Sequence, residues 1–221
     1  MAGKALFAHH GAYSSLGLIA ARAEQRGFDV VPVRSPQHGL DPRDFTLVVL
    51  LGSESAVYDD GVPWLAPEAA FVDVALSAGV PVFGICFGAQ LLSACLGGTV
   101  EPAPAVELGW VNVETRAPEL IEPGPWFQMH GDTCTLPPGA VELARNDHGL
   151  QAFELGAALG VQFHPEVTED EVERWLAEAP EFVDRAGVTP SEVMTATAEV
   201  MVGARRRADR LFDRVWERIG R

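Results

Sequence analysis

Positive charge is scarce in this chain. Its 221 residues carry 16 Lys and Arg against 31 Asp and Glu, a formal charge of −15, whereas a surface that grips nucleic-acid phosphates needs clustered cations. No nucleic-acid partner is expected. Long apolar runs are missing too: none approaches the roughly 18 residues that cross a bilayer. The opening stretch MAGKALFAHHGAYSS has neither the long apolar region nor the cleavage site of a signal peptide. No membrane association is predicted, and the location expected is cytoplasmic. Cysteine is sparse, and Cys86, Cys95 and Cys134 are an odd number without a C-x-x-C pair, which suggests neither a disulfide framework nor a zinc site. Phosphate-cradling glycine loops and ligand-like clusters of histidine and acid are also lacking, so neither a metal nor an organic cofactor is implied.

What is present is the composition of a packed protein, 48% hydrophobic and 21% charged. No linker-like run divides it, which predicts one unit over residues 1–221. Apolar, β-branched runs alternate with helical segments: KALFAHH, residues 14–27, FDVVPV, FTLVVLLG, residues 63–79, VPVFGIC and residues 87–96. That βαβ rhythm predicts an α/β fold with a doubly wound, mostly parallel sheet flanked by helices. From about Val106 the pieces shorten to ELGWVNVET, PWFQMHGD, VELARND, LQAFELG and ALGVQFHPEV, separated by turn residues, which predicts a small mixed or antiparallel extension. A helical segment closes the chain over about residues 168–221. Thr168 and Glu171 have capping-box spacing, Pro190 and Ser191 suit a helix start, and Gly203 makes one uninterrupted helix there doubtful. Arg206, Arg210, Arg214 and Arg218 stand at i, i+4 beside Asp209, Asp213 and Glu217, with Leu211, Val215 and Ile219 as an apolar stripe. A solvated amphipathic helix accounts for this pattern.

The stretch VPVFGICFGAQLLSACLGG, residues 80–98, holds a G-x-C-x-G corner, the cysteine counterpart of the nucleophile elbow. Flanking glycines remove side chains that would collide at so sharp a strand-to-helix turn. The thiol of Cys86 then sits at a helix N-terminus, where the dipole favours a thiolate and exposed N–H groups face a developing oxyanion. A buried small hydrophobe explains the same cysteine equally well on this segment alone. Cys95, among Leu91, Leu92 and Leu96, and Cys134, which lacks glycine flanks, read as structural. A nucleophile needs a base held by a third group. His164 ends an apolar strand, where open α/β sheets place their sites, and Glu166 follows two residues on. His9 and His10 at the end of the first strand, His38 and His148 in turn-like contexts, and His130 in WFQMHGD are weaker candidates.

Taken in order, VVLLGSESAVYDD, GICFGAQLLSACLGG, WFQMHGDT and GVQFHPEV resemble the class I, or triad, glutamine amidotransferases over roughly residues 4–168. The tail resembles that of stand-alone members. The resemblance implies a flavodoxin-like amidotransferase fold, with Cys86 as nucleophile, His164 as general base and acid, and Glu166 orienting His164. It implies attack on the side-chain amide of glutamine, loss of ammonia and hydrolysis of a γ-glutamyl thioester. Gly52, Ser53 and the N–H of Phe87 correspond to the oxyanion hole, and Gln90, Met129, Gly131 and Asp132 to the substrate residues. A turn-capping role explains Asp132 equally well. Where the family usually reads G-G-P-x-S, this chain has Gly52-Ser53-Glu54-Ser55-Ala56, which keeps a backbone donor and adds a charge at Glu54 near the mouth.

Three functions remain open from the sequence. The first is a glutaminase acting on L-glutamine that hands ammonia to a separate synthase. The second is a free-standing hydrolase of γ-glutamyl compounds. The third is a thiol sensor or scaffold, against which a full Cys-His-Glu set counts, since a sensor needs only an accessible thiolate.

Overall fold

The computed structural model describes residues 3–11, 14–35 and 39–220; His38 lies outside them. Its elements are β1 (Gly3–His9), α1 (Gly17–Gln25), β2 (Phe28–Arg34), β3 (Leu47–Leu50), α2 (Leu65–Ser77), β4 (Val82–Ile85) and α3 (Phe87–Cys95). Then come β5 (Val100–Asn112), β6 (Glu114–Thr115), β7 (Pro125–Cys134), β8 (Val141–Asn146), β9 (Gly149–Leu155) and β10 (Ala158–Val161). The helices α4 (Glu169–Glu178), α5 (Pro180–Ala186) and α6 (Pro190–Ile219) follow.

One sheet runs in the order β2-β1-β3-β4-β10-β9-β8-β6. Its first five strands pair in parallel, and β9, β8 and β6 extend it antiparallel. A second, two-stranded antiparallel sheet joins β5 to β7. The expected doubly wound architecture and its mixed extension are therefore both present.

Strand alternation decides which helices cover which face. Ala5, Phe7, Leu47, Val49, Phe83 and Ile85 point to one side, where they pack with Ile19 and Ala23 of α1 and with Leu211, Phe212, Val215 and Ile219 of α6. Leu6, Ala8, Val48, Leu50 and Val82 point to the other, against Phe71 and Val72 of α2 and Leu91 and Leu92 of α3. A third cluster, with Leu108, Phe127, Trp175 and Val183, seals β5 and β7 under α4 and α5.

The C-terminal helices differ from expectation in two ways. Helix α6 runs unbroken through Gly203, because burial of Met201, Ala204 and Ala208 on either side outweighs the ~1 kcal/mol that a helical glycine costs. Its start is fixed by a capping box between Thr189 and Glu192, with Pro190 in the first turn. It is amphipathic as expected, with the stripe of Leu211, Val215 and Ile219 in the core. Its charges also dock across elements, Arg22 and Arg26 to Asp213, and Arg210 and Arg214 to Glu122. The short α5 was not anticipated. The capping box of Thr168 and Glu171 is formed as expected.

Candidate active site

The strand order reverses at β1, and the crevice of such a sheet opens at the carboxyl ends of its strands. Gly52 follows β3, Cys86 follows β4, and His164 lies just beyond β10, where its N–H donates to the Phe127 carbonyl at 2.8 Å. All three border one cavity of about 840 Å³.

Cys86 has φ 53 and ψ −111, the one positive φ outside glycine among the described residues. Such geometry costs about 1–3 kcal/mol and persists only where the surroundings impose it. Here they do so through backbone contact. A Cβ on Gly84 would stand 2.5 Å from the Gly88 carbonyl oxygen, and one on Gly88 would stand 2.2 Å from that of Leu50. The two glycines thus let α3 lie directly on β4 and β3. A hydrogen bond from the Cys86 N–H to Val161 at 2.8 Å ties the corner to β10.

His164 Nδ1 lies 2.6 Å from Glu166 Oε1, and both side chains are buried. Trp175 of α4 stands edge-on to the imidazole, ring centres 5.1 Å apart. The other nitrogen, Nε2, is buried without a hydrogen bond of ordinary geometry. Burial alone would lower the His164 pKa, but Glu166 and then Cys86 outweigh it and hold the imidazole well above the usual histidine range. The remaining cysteines behave differently: burial pushes the Cys95 thiol up to about 12 and that of Cys134 up to about 11, which keeps both protonated.

Gly52 faces the pair. A Cβ there would sit 3.2 Å from His164 Cε1 and 3.9 Å from Cys86 Cβ. Ser53, Glu54, Gln90, Met129, Gly131 and Asp132 line the same cavity, while Phe87 is the first residue of α3 and is buried. Gln90 is not idle: its Nε2 donates to Gln162 Oε1 at 3.1 Å and to the Asp132 carbonyl at 3.3 Å. The Asp132 carboxylate accepts from Tyr58 at 2.8 Å; burial and then this bond raise the Tyr58 pKa.

The family profile described as Glutamine amidotransferase class-I matches residues 12–178. The chain belongs to this family. Among curated relatives of this chain, the "GMP synthase [glutamine-hydrolyzing]" of Mycolicibacterium paratuberculosis is 39% identical over 160 residues, covering 68% of this chain and 29% of that protein. The protein of that name from Streptomyces avermitilis is 36% identical over 187 residues, 79% of this chain and 34% of its own length. The chain thus spans about a third of those relatives. A glutamine amidotransferase structure from Thermotoga maritima superposes with a TM-score of 0.89 at 24% identity, covering 98% of this chain and 99% of that one. One from Methylobacillus flagellatus gives 0.87 at 25% identity, covering 98% and 95%.

Two buried networks near the cavity escaped the sequence reading. Behind Met129–Asp132, the Glu107 carboxylate accepts from Asn146 at 2.7 Å and Gln151 at 3.2 Å, and lies 2.9 Å from His130 Nε2. His130 Nδ1 reaches the Asp132 carbonyl at 3.0 Å, so this network braces the strand from behind. The other joins His10 to Glu68. Among the described residues, no group of three or more His, Cys, Asp and Glu could hold a metal ion, and no helix is long and apolar enough to cross a membrane.

Proposed function

We propose that this chain hydrolyses the side-chain amide of glutamine through a Cys86 thioester and releases ammonia to a separate synthase. The observation that carries the reading is Cys86 held at a strained corner, in one cavity with an imidazole whose Nδ1 lies 2.6 Å from the buried Glu166 carboxylate. Family membership and the words "glutamine-hydrolyzing" in the names of the relatives support the substrate.

The thiolate attacks the amide carbon, and the oxygen takes up the negative charge, facing the N–H groups of Ser53 and Phe87. The α3 N-terminus leaves its first N–H groups without partners inside the helix. The His164 imidazolium gives its Nε2 proton to the departing nitrogen, and ammonia leaves as the thioester forms. The neutral imidazole then takes a proton from water, the hydroxide attacks the thioester, and glutamate departs as sulfur leaves as thiolate, which restores the thiolate–imidazolium pair. Glu166 holds Nδ1 throughout, fixing the orientation of the ring and stabilising its protonated form. Gln90, Met129, Gly131 and Asp132 provide the wall that receives the glutamyl group.

One observation favours a second reading. A cavity of about 840 Å³ runs past the chemistry to Trp175, Pro180, Phe182 and Arg185 on α4 and α5, near the upper end of the ~300–1,000 Å³ range of small-molecule pockets. That space suits a γ-glutamyl compound with a leaving group larger than ammonia.

The test measures glutamate release from L-glutamine and from a series of γ-glutamyl amides, for wild type and Cys86→Ala, without a partner. Labelling by a diazo-ketone glutamine analogue runs in parallel. Labelling of Cys86 with turnover strongest on glutamine supports the first reading; γ-glutamyl amides far ahead of glutamine support the second. Absence of both labelling and turnover refutes both.

A further inference from the structure

Behind the Gly52 loop lies another buried histidine–glutamate pair, which the steps above do not use. His10 follows β1, and Glu68 is in the first turn of α2. Their Nε2 and Oε2 atoms are 2.7 Å apart, with both side chains fully buried. The other ring nitrogen, Nδ1, lies 3.0 Å from the Gly52 carbonyl oxygen. A carbonyl oxygen only accepts, so Nδ1 carries a proton and donates it there. The Ser14 hydroxyl donates to the same oxygen at 2.6 Å and is itself held by the His10 N–H at 2.8 Å. Glu68 is anchored in turn, since Oε2 also accepts from Ser35 at 2.9 Å. The His10 ring is wedged against Trp64 and Phe87, with centroids 4.6 Å and 4.9 Å away.

We propose that His10, held by Glu68, is a positioning residue for the oxyanion hole: it pins the Gly52 carbonyl so that the Ser53 N–H faces the Cys86 pocket. The inference rests on the thioester chemistry proposed above. A peptide unit is planar and trans, so its C=O and N–H point to opposite sides. With the Gly52 oxygen drawn back toward His10 and Ser14, the Ser53 N–H is turned away from them, and Gly52 and Ser53 border the same cavity as Cys86 and His164. Glycine has access to backbone angles that would let this peptide flip and turn the donor away, and Ser53-Glu54-Ser55 contains no proline to restrain it. Two hydrogen bonds on the Gly52 oxygen hold the productive orientation. The ring contact with Phe87 makes His10 a common neighbour of both proposed donors.

Two substitutions in the full chain separate the halves of this device. His10→Asn places an amide nitrogen near the position of Nδ1 and keeps a donor for Gly52. His10→Gln reaches toward Glu68 instead and leaves Gly52 without that donor. Removing an oxyanion donor outright costs ~10²–10³ in kcat; losing only its orientation should cost His10→Gln roughly 10–100-fold, with KM for glutamine little changed and His10→Asn recovering most of the loss. Alkylation of Cys86 by iodoacetamide builds no oxyanion, so its rate should match wild type in both variants. Ser14→Ala, which removes the second donor and leaves the buried pair intact, should lower kcat without raising KM, and it decides the matter if a His10 variant fails to fold. Wild-type kcat in His10→Gln or in Ser14→Ala overturns the proposal, as does a fall in kcat matched by an equal fall in alkylation. Absence of labelling and turnover in the wild type refutes the thioester chemistry and this inference with it, whereas an active wild type with an unimpaired His10→Gln refutes the inference alone.

Discussion

Gly88→Ala tests whether the corner depends on backbone contact. The new methyl would lie 2.2 Å from the Leu50 carbonyl oxygen and 2.7 Å from both its carbonyl carbon and its Cβ. Two of those atoms belong to the backbone of β3 and cannot rotate aside, so α3 must withdraw by about 1 Å to reach ordinary van der Waals separation. Overpacking of this kind costs ~1–3 kcal/mol, and a collision between backbones belongs at the upper end. For a chain of this size 1 kcal/mol moves Tm by roughly 2–4 °C, so a fall of about 6–12 °C is expected by circular dichroism. The catalytic loss should be larger in proportion. Helix α3 carries Cys86 at its N-cap and Gln90 in its second turn, while Gly52 stays with β3; separating the two by ~1 Å should cost about 10²-fold in kcat. Tm and glutaminase kcat are measured on one preparation. A variant within 2 °C of wild-type Tm and twofold of its kcat (both roughly the scatter of such assays) would refute the argument from close contact.

Glu166→Gln removes the charge that does most to raise the His164 pKa. A raised pKa keeps the imidazolium to higher pH, so losing the carboxylate should shift the alkaline limb of the kcat/KM profile to lower pH and reduce kcat; an unmoved limb would contradict the assignment. Tyr58→Phe removes the donor to the Asp132 carboxylate. It should raise KM for glutamine about fivefold, the equivalent of one hydrogen bond, and leave Tm nearly unchanged because the bond is exposed; an unaltered KM would remove Asp132 from the glutamyl wall.

The parallel half of the fold was legible because its strands are buried on both faces and read as continuous apolar runs, as in Leu47–Leu50. Where Cys86 and His164 fall was legible for a local reason: close-packed glycines must flank a corner of this kind, and an apolar strand leads into the histidine. The His10–Glu68 pair was not, because its members are 58 residues apart and a glutamate in a first helical turn looks like any N-terminal acid. Glu107 and His130 stayed hidden for a related reason. Polar residues on two strands read as solvent-facing until β5 and β7 pair and β8 and β9 cover them. Helix α5 is seven residues long, too short for helical periodicity to declare itself.

The way α6 lies against α1 sets a timetable for synthesis. Arg22 and Asp213 meet across 191 residues, and the apolar floor beneath α1 is completed by Phe212, Val215 and Ile219. At ~5–20 residues per second, roughly 10–40 seconds separate the emergence of the two helices from a ribosome. Until α6 emerges, Ile19, Phe28 and Leu47 lack the part of their apolar cover that Phe212, Val215 and Ile219 provide in the folded chain.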